Sequence, residues 1–306
     1  MFDETSAMSS PSGRSIEYRE SCASGNGKRE YKVRRLGKFL LAVLGVVALF
    51  TAYMYSAALR DPVVRQDRVR VAGWPDAAPP ARILLLSDLH VAGPDMSPAR
   101  VARLVAQINA RKPELILFAG DFVSDKLAAT HHYPGAEALA PLAGLKARYG
   151  TIAVLGNHDY WRDQHEIEAA LAASGIIVLR NQAMQAGPFV VGGVDDDFTG
   201  HARVDSTLAQ MERLEGFPVI VSHSPDIMPE VPDSVPLIVA GHTHCGQINF
   251  PGLDTLASVT RFGHRYACGK VREGRKTLYV SAGLGTSILP LRFRADPDMW
   301  LLTVGP

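Results

Sequence analysis

Short apolar runs rich in β-branched side chains recur along the chain from residue 81 onward, and helical patterns separate several of them. A short run that is apolar at every position is typical of a strand buried on both faces. The sequence predicts strands at Ile83–Ser87, Leu115–Ala119, Thr151–Leu155, Ile176–Leu179, Phe189–Val191, Val219–Ser222, Leu237–Ala240, Thr277–Ser281 and Met299–Val304. Strands of this kind separated by helices indicate an α/β sandwich.

Helical spacing is clear between the first two of these strands. The segment Ser97–Arg111 begins with a Ser-Pro start signal and carries apolar residues at helical intervals, namely Val101, Leu104, Val105 and Ile108. We therefore predict a helix over this segment. The later strands have shorter connections, which favours a second, mixed sheet.

Phe39–Leu59 differs from the rest of the chain because it contains no Asp, Glu, Lys, Arg or His. Its length is close to the roughly 20 residues that a helix needs to cross the hydrocarbon layer. We interpret it as a transmembrane anchor. A cleaved signal peptide is the alternative, since Ser56, Ala57 and Ala58 are small enough for a peptidase site. A core helix fits less well, because the segment has no polar face.

The anchor divides the chain into further predicted parts. Residues 1–38 are expected to be a disordered basic tail, residues 60–80 a charged and Pro-rich linker, and residues 81–306 the folded domain. Basic side chains are more numerous before the anchor (Lys28, Arg29, Lys32, Arg34, Arg35, Lys38) than after it (Arg60, Arg65, Arg68, Arg70). The positive-inside bias predicts a single-pass protein whose first residues stay in the cytoplasm and whose folded domain is exported, and the opposite orientation stays open.

Composition narrows the classes of partner. The chain is 47% hydrophobic and 21% charged with a formal net charge of +1, so no nucleic-acid partner is expected. Its three cysteines, Cys22, Cys245 and Cys268, exclude a framework of several disulfides. Cys245 and Cys268 could pair in an exported domain, but we do not expect this pairing.

Oxygen and imidazole donors follow five of the predicted strands. They are Asp88 and His90, Asp121, Asn157, His223, and His242 with His244. In open α/β sheets, ligands bind beyond the carboxyl ends of the strands, so these donors should converge. A nitrogen and oxygen set suits Mn, Fe, Zn, Ni or Co better than a thiolate-held structural zinc.

The order D-x-H, G-D, G-N-H-[DE], a lone His and G-H-x-H resembles the calcineurin-like metallophosphoesterase superfamily, and the resemblance covers Ala81 to Pro306. It implies a four-layer α/β/β/α sandwich with two mixed sheets. It also implies two divalent ions, with Mn favoured. Asp88, His90, Asp121 and His244 would hold one ion, while Asp121, Asn157, His223 and His242 would hold the other.

The same resemblance implies attack on phosphorus by a hydroxide that bridges the two ions. We assign His158 to protonating the leaving group or stabilising the transition state. Asp159 is predicted to orient His158 or His223, with simple loop capping as the alternative. Outside these motifs, Arg292 and Arg294 alternate along a strand-like stretch, so both should face one side, and Arg292 is a candidate contact for a substrate phosphate, with a solvated strand face as the alternative. Asp195 is the second candidate substrate contact, with a solvated turn as the alternative.

Residues 193–196, 241–247 and 283–292 look like the bacterial membrane-associated phosphodiesterase branch, which is similar to UDP-2,3-diacylglucosamine pyrophosphatases of lipid A biosynthesis. That nucleotide substrate is cytoplasmic, whereas the predicted topology is periplasmic. The substrate therefore stays open between a lipid-linked pyrophosphate and a periplasmic phosphodiester. The alternatives are a non-catalytic metal-binding scaffold on the same fold, and a metalloenzyme that carries out redox chemistry or cleaves C–N bonds.

Overall fold

The computed structural model describes residues 15–71, 74, 79–126, 128–250 and 259–306, with side chains from residue 29 onward. Contacts divide the chain into two compact units, Met1–Tyr53 and Met54–Pro306. The second unit carries the predicted chemistry.

The helices are α1 (Ser15–Ala58), α2 (Pro98–Ala110), α3 (Gly135–Leu139), α4 (Asn157–Ala173) and α5 (Val204–Met211). Short 3₁₀ turns lie at Ala140–Gly144, Pro225–Ile227, His244–Gly246 and Gly263–Tyr266. The strands are β1 (Val63–Arg70), β2 (Ala81–Leu86), β3 (Leu115–Ala119), β4 (Thr151–Val154), β5 (Ile177–Val178), β6 (Gln182–Ala186), β7 (Phe189–Val194), β8 (Phe217–Ser222), β9 (Leu237–Ala240), β10 (Gly269–Glu273), β11 (Lys276–Val280) and β12 (Asp298–Gly305).

Within the described residues these strands form two mixed sheets of six. The first has the order β1-β12-β2-β3-β4-β5, in which β2 to β5 are parallel and β12 is antiparallel to β2. The second has the order β10-β11-β9-β8-β7-β6, with a parallel centre and antiparallel partners at both edges. Within each sheet, the parallel strands therefore end at one edge.

Successive residues of a strand point to opposite faces, and this explains why the central strands are apolar throughout. Ile83 and Leu85 of β2 pack between the two sheets, whereas Leu84 and Leu86 pack against a layer that includes α2 and α4. A third core covers the outer face of the second sheet and includes Val204 of α5. Each such fully buried Leu or Ile contributes roughly 1.5–3 kcal/mol. The predicted four-layer α/β/β/α sandwich is confirmed.

The ordered fold begins earlier than the sequence suggested. Val63–Arg70, in the stretch predicted as a linker, is strand β1 and pairs in parallel with β12. Its exposure alternates along the strand, and the Arg65 side chain forms an ion pair with buried Asp298. Charged side chains on the outward positions of an edge strand resemble a linker in sequence, because only one side of the strand is covered.

Helix α1 contains Arg29–Ala58, which is long and apolar enough by length and composition to cross a membrane. The helix also extends back to Ser15, into part of the segment predicted to be a disordered tail, while residues 1–14 of that tail lie outside the described residues. Extension of an existing helix costs much less than starting one, so the apolar segment can carry its polar neighbour into helix. At the other end, the Met54 carbonyl accepts a hydrogen bond from Arg292 N–H at 3.0 Å.

Candidate metal centre

The seven predicted ligands lie just beyond strand ends and are all buried. The first sheet supplies Asp88 and His90 after β2, Asp121 after β3, and Asn157 after β4 at the start of α4. The second sheet supplies His223 after β8, and His242 and His244 after β9. The loops of both sheets therefore meet at one site, as the strand-end rule predicts.

One half of the site is a cluster around His90. The Nε2 atoms of His90 and His244 are 2.9 Å apart, and His244 Nε2 is 3.4 Å from Asp88 Oδ1. Asp121 Oδ2 lies 3.4 Å from His90 Nε2. Asp88, His90 and His244 thus present ligand atoms that one ion could reach together.

The other half is a cluster around His223. Its Nε2 atom is 3.0 Å from Asn157 Oδ1, 3.0 Å from His242 Nδ1 and 3.2 Å from Asp121 Oδ2. The same Asp121 oxygen therefore reaches both halves. His223 Nδ1 lies 2.7 Å from the Ala119 carbonyl, so it carries the proton and leaves Nε2 as the ligand atom.

The donor set fits divalent cations. Burial holds the pKa values of His90 and His244 well below the ordinary histidine value, although the Asp121 carboxylate acts in the opposite direction, so both rings are neutral. Neutral imidazole nitrogens and carboxylate oxygens turn lone pairs toward one another here, and a cation satisfies such a set.

The electrostatics point the same way. Burial raises the pKa of Asp88 to about 7, and the Asp121 charge adds to the increase. Burial would lower the pKa of His223, but the nearby Asp121 and Asp88 carboxylates raise it to about 10. Burial would likewise raise the pKa of Asp121, yet neighbouring histidines hold it well below its usual value. Buried carboxylates here need compensating positive charge, which a divalent ion also provides.

Five of the predicted ligands lie in the left-handed backbone region, with φ of 50° at Asp88, 49° at His90, 56° at Asp121, 69° at His242 and 50° at His244. Such conformations cost roughly 1–3 kcal/mol each and persist where the surroundings fix them. Backbone hydrogen bonds provide that support: Asp88 N–H donates to Gly120 O, and His90 N–H donates to Asp121 O, each at 3.0 Å.

Two glycines of the motifs are required by close approach between loops. A Cβ at Gly156 would collide with the Asp121 side chain, and one at Gly241 would collide with Asp88 and Ser87. The glycines therefore allow one ligand loop to pack directly against another.

The Asp159 carboxylate binds backbone N–H groups of the loop that carries Asp121 and does not bind a histidine ring. Its Oδ2 accepts hydrogen bonds from the N–H groups of Asp121 at 2.9 Å and Gly156 at 3.0 Å. Its Oδ1 accepts from Phe122 N–H at 2.8 Å and Val123 N–H at 3.2 Å. This position corresponds to the capping alternative and differs from the orienting contact to His158 or His223 that we predicted.

His158 lies at the rim, with a side chain 12% exposed. Its Nδ1 forms a short contact with Asp125 Oδ1, and its Nε2 is 3.3 Å from Ser287 Oγ. Its ring is 4.7 Å from that of His90, and a third potential metal-binding group combines His158 with His90 and Asp121. Asp125 was not among the predicted site residues, although its place four residues after Asp121 in the same loop was a usable signal.

Arg292, a predicted substrate contact, is fully buried. Its guanidinium donates to the carbonyl oxygens of Ala282 and Ala295 at 2.8 Å, and also to Gly283 and Gly285. Burial lowers its pKa to about 10. Arg292 therefore holds the loop behind His244, to whose Nδ1 it lies 3.5 Å away, and does not face substrate.

Asp195, the other predicted substrate contact, is 2% exposed. Its carboxylate accepts from Tyr160 OH at 2.7 Å and from Arg180 Nε at 3.0 Å. The side chain is thus committed to tying α4 to the segment after β5, and this also differs from the predicted role.

Cys245 and Cys268 form a disulfide, with Cα atoms 4.7 Å apart. Our expectation that they would not pair was wrong. The cysteine count alone could not show that the chain returns to the residue after His244. Beside the disulfide, Thr243 Oγ1 donates to the Ala267 carbonyl at 2.6 Å, so two bonds fix the last ligand loop.

Exposed apolar side chains lie next to site residues in space or in sequence. Trp161 is 53% exposed with its ring 4.8 Å from that of His158, and Phe198 is 48% exposed with its ring 4.8 Å from that of His242. Ile288 and Leu289, directly after Ser287, are 65% and 44% exposed. We call these four residues the apolar rim.

Comparison with known proteins agrees with the fold and the site. Residues 81–246 match the family described as calcineurin-like phosphoesterase, and the chain belongs to this family. It is a metallophosphoesterase, a hydrolase acting on phosphoric esters, in a family that uses divalent metals. The predicted family resemblance and enzyme class are confirmed.

Particular relatives can be named. The chain is 27% identical to the uncharacterized metallophosphoesterase YkuE of Bacillus subtilis over 88% of this chain and 95% of that protein. It is 30% identical to the phosphodiesterase YaeI of Escherichia coli, covering 87% of this chain and 97% of that one. It is also 28% identical to a zebrafish (Danio rerio) transmembrane protein with a metallophosphoesterase domain, over 94% of this chain and 65% of that protein.

Proposed function

We propose that this protein hydrolyses a phosphodiester or pyrophosphate bond in a lipid-linked substrate, using two divalent ions held by the seven buried ligands. The observation that carries the proposal is the position of Asp121 Oδ2, 3.4 Å from His90 Nε2 and 3.2 Å from His223 Nε2. A single carboxylate shared by two donor clusters is suited to a two-metal site.

When bound, the ions, with Mn favoured, supply an activated water and neutralise charge on the phosphoryl oxygens. The chain itself supplies the proton for the leaving group. His158 is assigned to that step because it lies at the rim beside the ligands and has a carboxylate, Asp125, at its Nδ1. With the Nδ1 proton held by Asp125, Nε2 is the atom that can pass a proton to the leaving oxygen.

The apolar rim supports a lipid-linked substrate. Trp161 and Phe198 are large, half-exposed and in contact with site histidines, so an apolar part of the substrate would cover them as the phosphorus reaches the ligands. The candidate membrane helix would keep the enzyme where such a substrate concentrates. UDP-2,3-diacylglucosamine and a periplasmic lipid phosphodiester both have this chemistry.

The disulfide and the charge distribution support a bacterial inner-membrane protein with a single span and a periplasmic domain. Disulfides persist mainly in oxidising compartments, and basic residues are more numerous before the helix than after it. With this topology, a periplasmic lipid phosphodiester fits better than a cytoplasmic sugar nucleotide.

The test uses the full chain in detergent, prepared with Mn, Zn, Fe, Ni or Co. Hydrolysis of two amphiphilic substrates, UDP-2,3-diacylglucosamine and phospholipid in mixed micelles, would be compared with hydrolysis of the water-soluble phosphodiester bis-p-nitrophenyl phosphate. We expect faster turnover of an amphiphilic substrate, loss of activity in Asp121→Asn, and two ions per chain. A protein that binds two ions but hydrolyses none of these substrates would favour the scaffold alternative.

A further inference from the structure

The two side chains that contact His158 come from different loops. Asp125 lies in the loop after β3, and Ser287 lies in the loop between β11 and β12. Each is adjacent in sequence to a buried polar residue, since Lys126 follows Asp125 and Thr286 precedes Ser287. These two buried residues meet at Asp95, in the loop after β2.

The contacts among the three residues form a closed triangle. Lys126 Nζ donates to Asp95 Oδ1 at 2.6 Å and lies 3.2 Å from Thr286 Oγ1. Thr286 Oγ1 in turn donates to Asp95 Oδ2 at 2.7 Å. Lys126 is 3% exposed, Asp95 2% and Thr286 0%, so water does not screen the ion pair. The separation of the two loops is therefore fixed by short, directional bonds.

Stability alone does not account for this arrangement. Removing two charges from water costs about as much as their attraction returns, and apolar side chains of similar volume often replace a buried pair without loss. None of the three residues belongs to the predicted ligands. What the bonds do provide is a defined geometry at the neighbouring residues, and those neighbours are the two partners of His158.

We propose that Asp95, Lys126 and Thr286 form a positioning triad that holds Asp125 and Ser287 on opposite sides of the His158 imidazole, and so aims its proton at the leaving group. The inference rests on the role proposed for His158. The three residues act through Asp125 and Ser287, and do not touch the reacting atoms.

A misaimed proton donor should matter most when the leaving group is basic. Diphenyl phosphate releases a phenolate that needs protonation, whereas bis-p-nitrophenyl phosphate releases a nitrophenolate that needs little. Loosening the triad should therefore lower kcat for the first substrate more than for the second, with KM unchanged, because His158 is not assigned to binding.

The main variant is Thr286→Val, which removes one hydroxyl and leaves the Lys126–Asp95 pair intact. We expect kcat on diphenyl phosphate to fall roughly tenfold, and kcat on bis-p-nitrophenyl phosphate to fall less than about threefold. Thr286→Ser keeps the hydroxyl and should restore the wild-type ratio. The double variant Asp95→Asn/Lys126→Met removes both charges together, so neither is left buried alone, and should act like Thr286→Val.

Lys276→Met is the matched control. Lys276 is also a buried lysine, but its Nζ donates to the Met228 and Val231 carbonyls beneath the second sheet. The Lys276→Met variant can have a lower melting temperature, but the ratio of its kcat values on the two substrates should be that of wild type.

Combination with His158→Asn separates the possible failures. If the triad acts through His158, Thr286→Val should cause no further loss in that background. A further fall in kcat when Thr286→Val is added to His158→Asn would overturn the triad proposal and leave the role of His158 standing. A wild-type substrate ratio in Thr286→Val, when His158→Asn alone is impaired, would have the same meaning. A His158→Asn protein as active as wild type would overturn that role and, with it, the triad.

Discussion

The Asp159 carboxylate accepts a hydrogen bond from the backbone N–H of Asp121 at 2.9 Å, which links helix α4 to the residue proposed to bridge two ions. Asp121 has a left-handed backbone with φ of 56°, and the same carboxylate also binds the next two N–H groups of that loop. The conformation of the central ligand is thus fixed from outside its own strand.

Asp159→Asn tests this link. In the variant, an amide NH₂ replaces one of the two carboxylate oxygens that accept bonds from backbone N–H groups, so donor faces donor. We therefore expect the free energy of unfolding to fall by about 2–3 kcal/mol and the metal content to fall. Denaturant unfolding and elemental analysis measure the two effects. Asp163→Asn, at an exposed position of α4 that also accepts two N–H bonds, is the control and should change neither. A metal-replete, fully stable Asp159→Asn protein would contradict this account.

His158→Asn should lower turnover by roughly 10²–10⁴-fold with normal metal content, because it removes a proton donor and no assigned ligand. The measurements are kcat on diphenyl phosphate and metal stoichiometry in the same preparation. His158 also lies within reach of His90 and Asp121 as a potential ligand. Loss of an ion from this variant would therefore show that His158 is a metal ligand and not the proton donor.

Asp125→Asn should weaken catalysis less than His158→Asn does, since the imidazole remains but loses the carboxylate that fixes its Nδ1 proton. The double variant should be no slower than His158→Asn alone, as measured by kcat on the same substrate. If the fold-losses in kcat of the two single variants multiply in the double variant, Asp125 acts on something other than His158.

The sequence predicted which donors lie together because each of them depends on a local signal, a short motif placed directly after a strand. Asp95, Lys126 and Thr286 carry no such signal, since their contacts depend on loops that approach only in the folded chain. The edge strand β1 was missed for a related reason: its charged outward positions conceal a pairing partner, β12, more than 200 residues away.

Arg292 shows the limit of periodicity. Alternation predicts that Arg292 and Arg294 share a direction, but it does not say what covers them, and the structure leaves Arg294 exposed while Arg292 is fully buried. A guanidinium carries five N–H donors in a planar fork, so it can bind several carbonyls at once, which explains an arginine in the interior.

Arg292→Met follows from that position. We expect a loss of about 3–5 kcal/mol in unfolding free energy, because several loop carbonyls lose their donors together. Any folded fraction should keep the wild-type KM, measured on bis-p-nitrophenyl phosphate, since Arg292 does not face substrate. Arg294→Met is the matched control and should leave stability unchanged. A raised KM in a stable Arg292→Met protein would restore the substrate-binding role.

The disulfide next to His244 gives the last prediction. Cys245 and Cys268 are 23 residues apart, and closing a loop of that size stabilises a domain by about 3 kcal/mol in the chain-entropy account. Cys245→Ala/Cys268→Ala should therefore unfold at lower denaturant, and wild type in reductant should match it. Metal affinity should weaken as well, because the bond fixes the loop of two ligands. Cys22→Ser, which leaves Cys245 and Cys268 in place, is the cysteine control. If oxidised and reduced wild type bind metal and unfold identically, the crosslink has no part in holding the site.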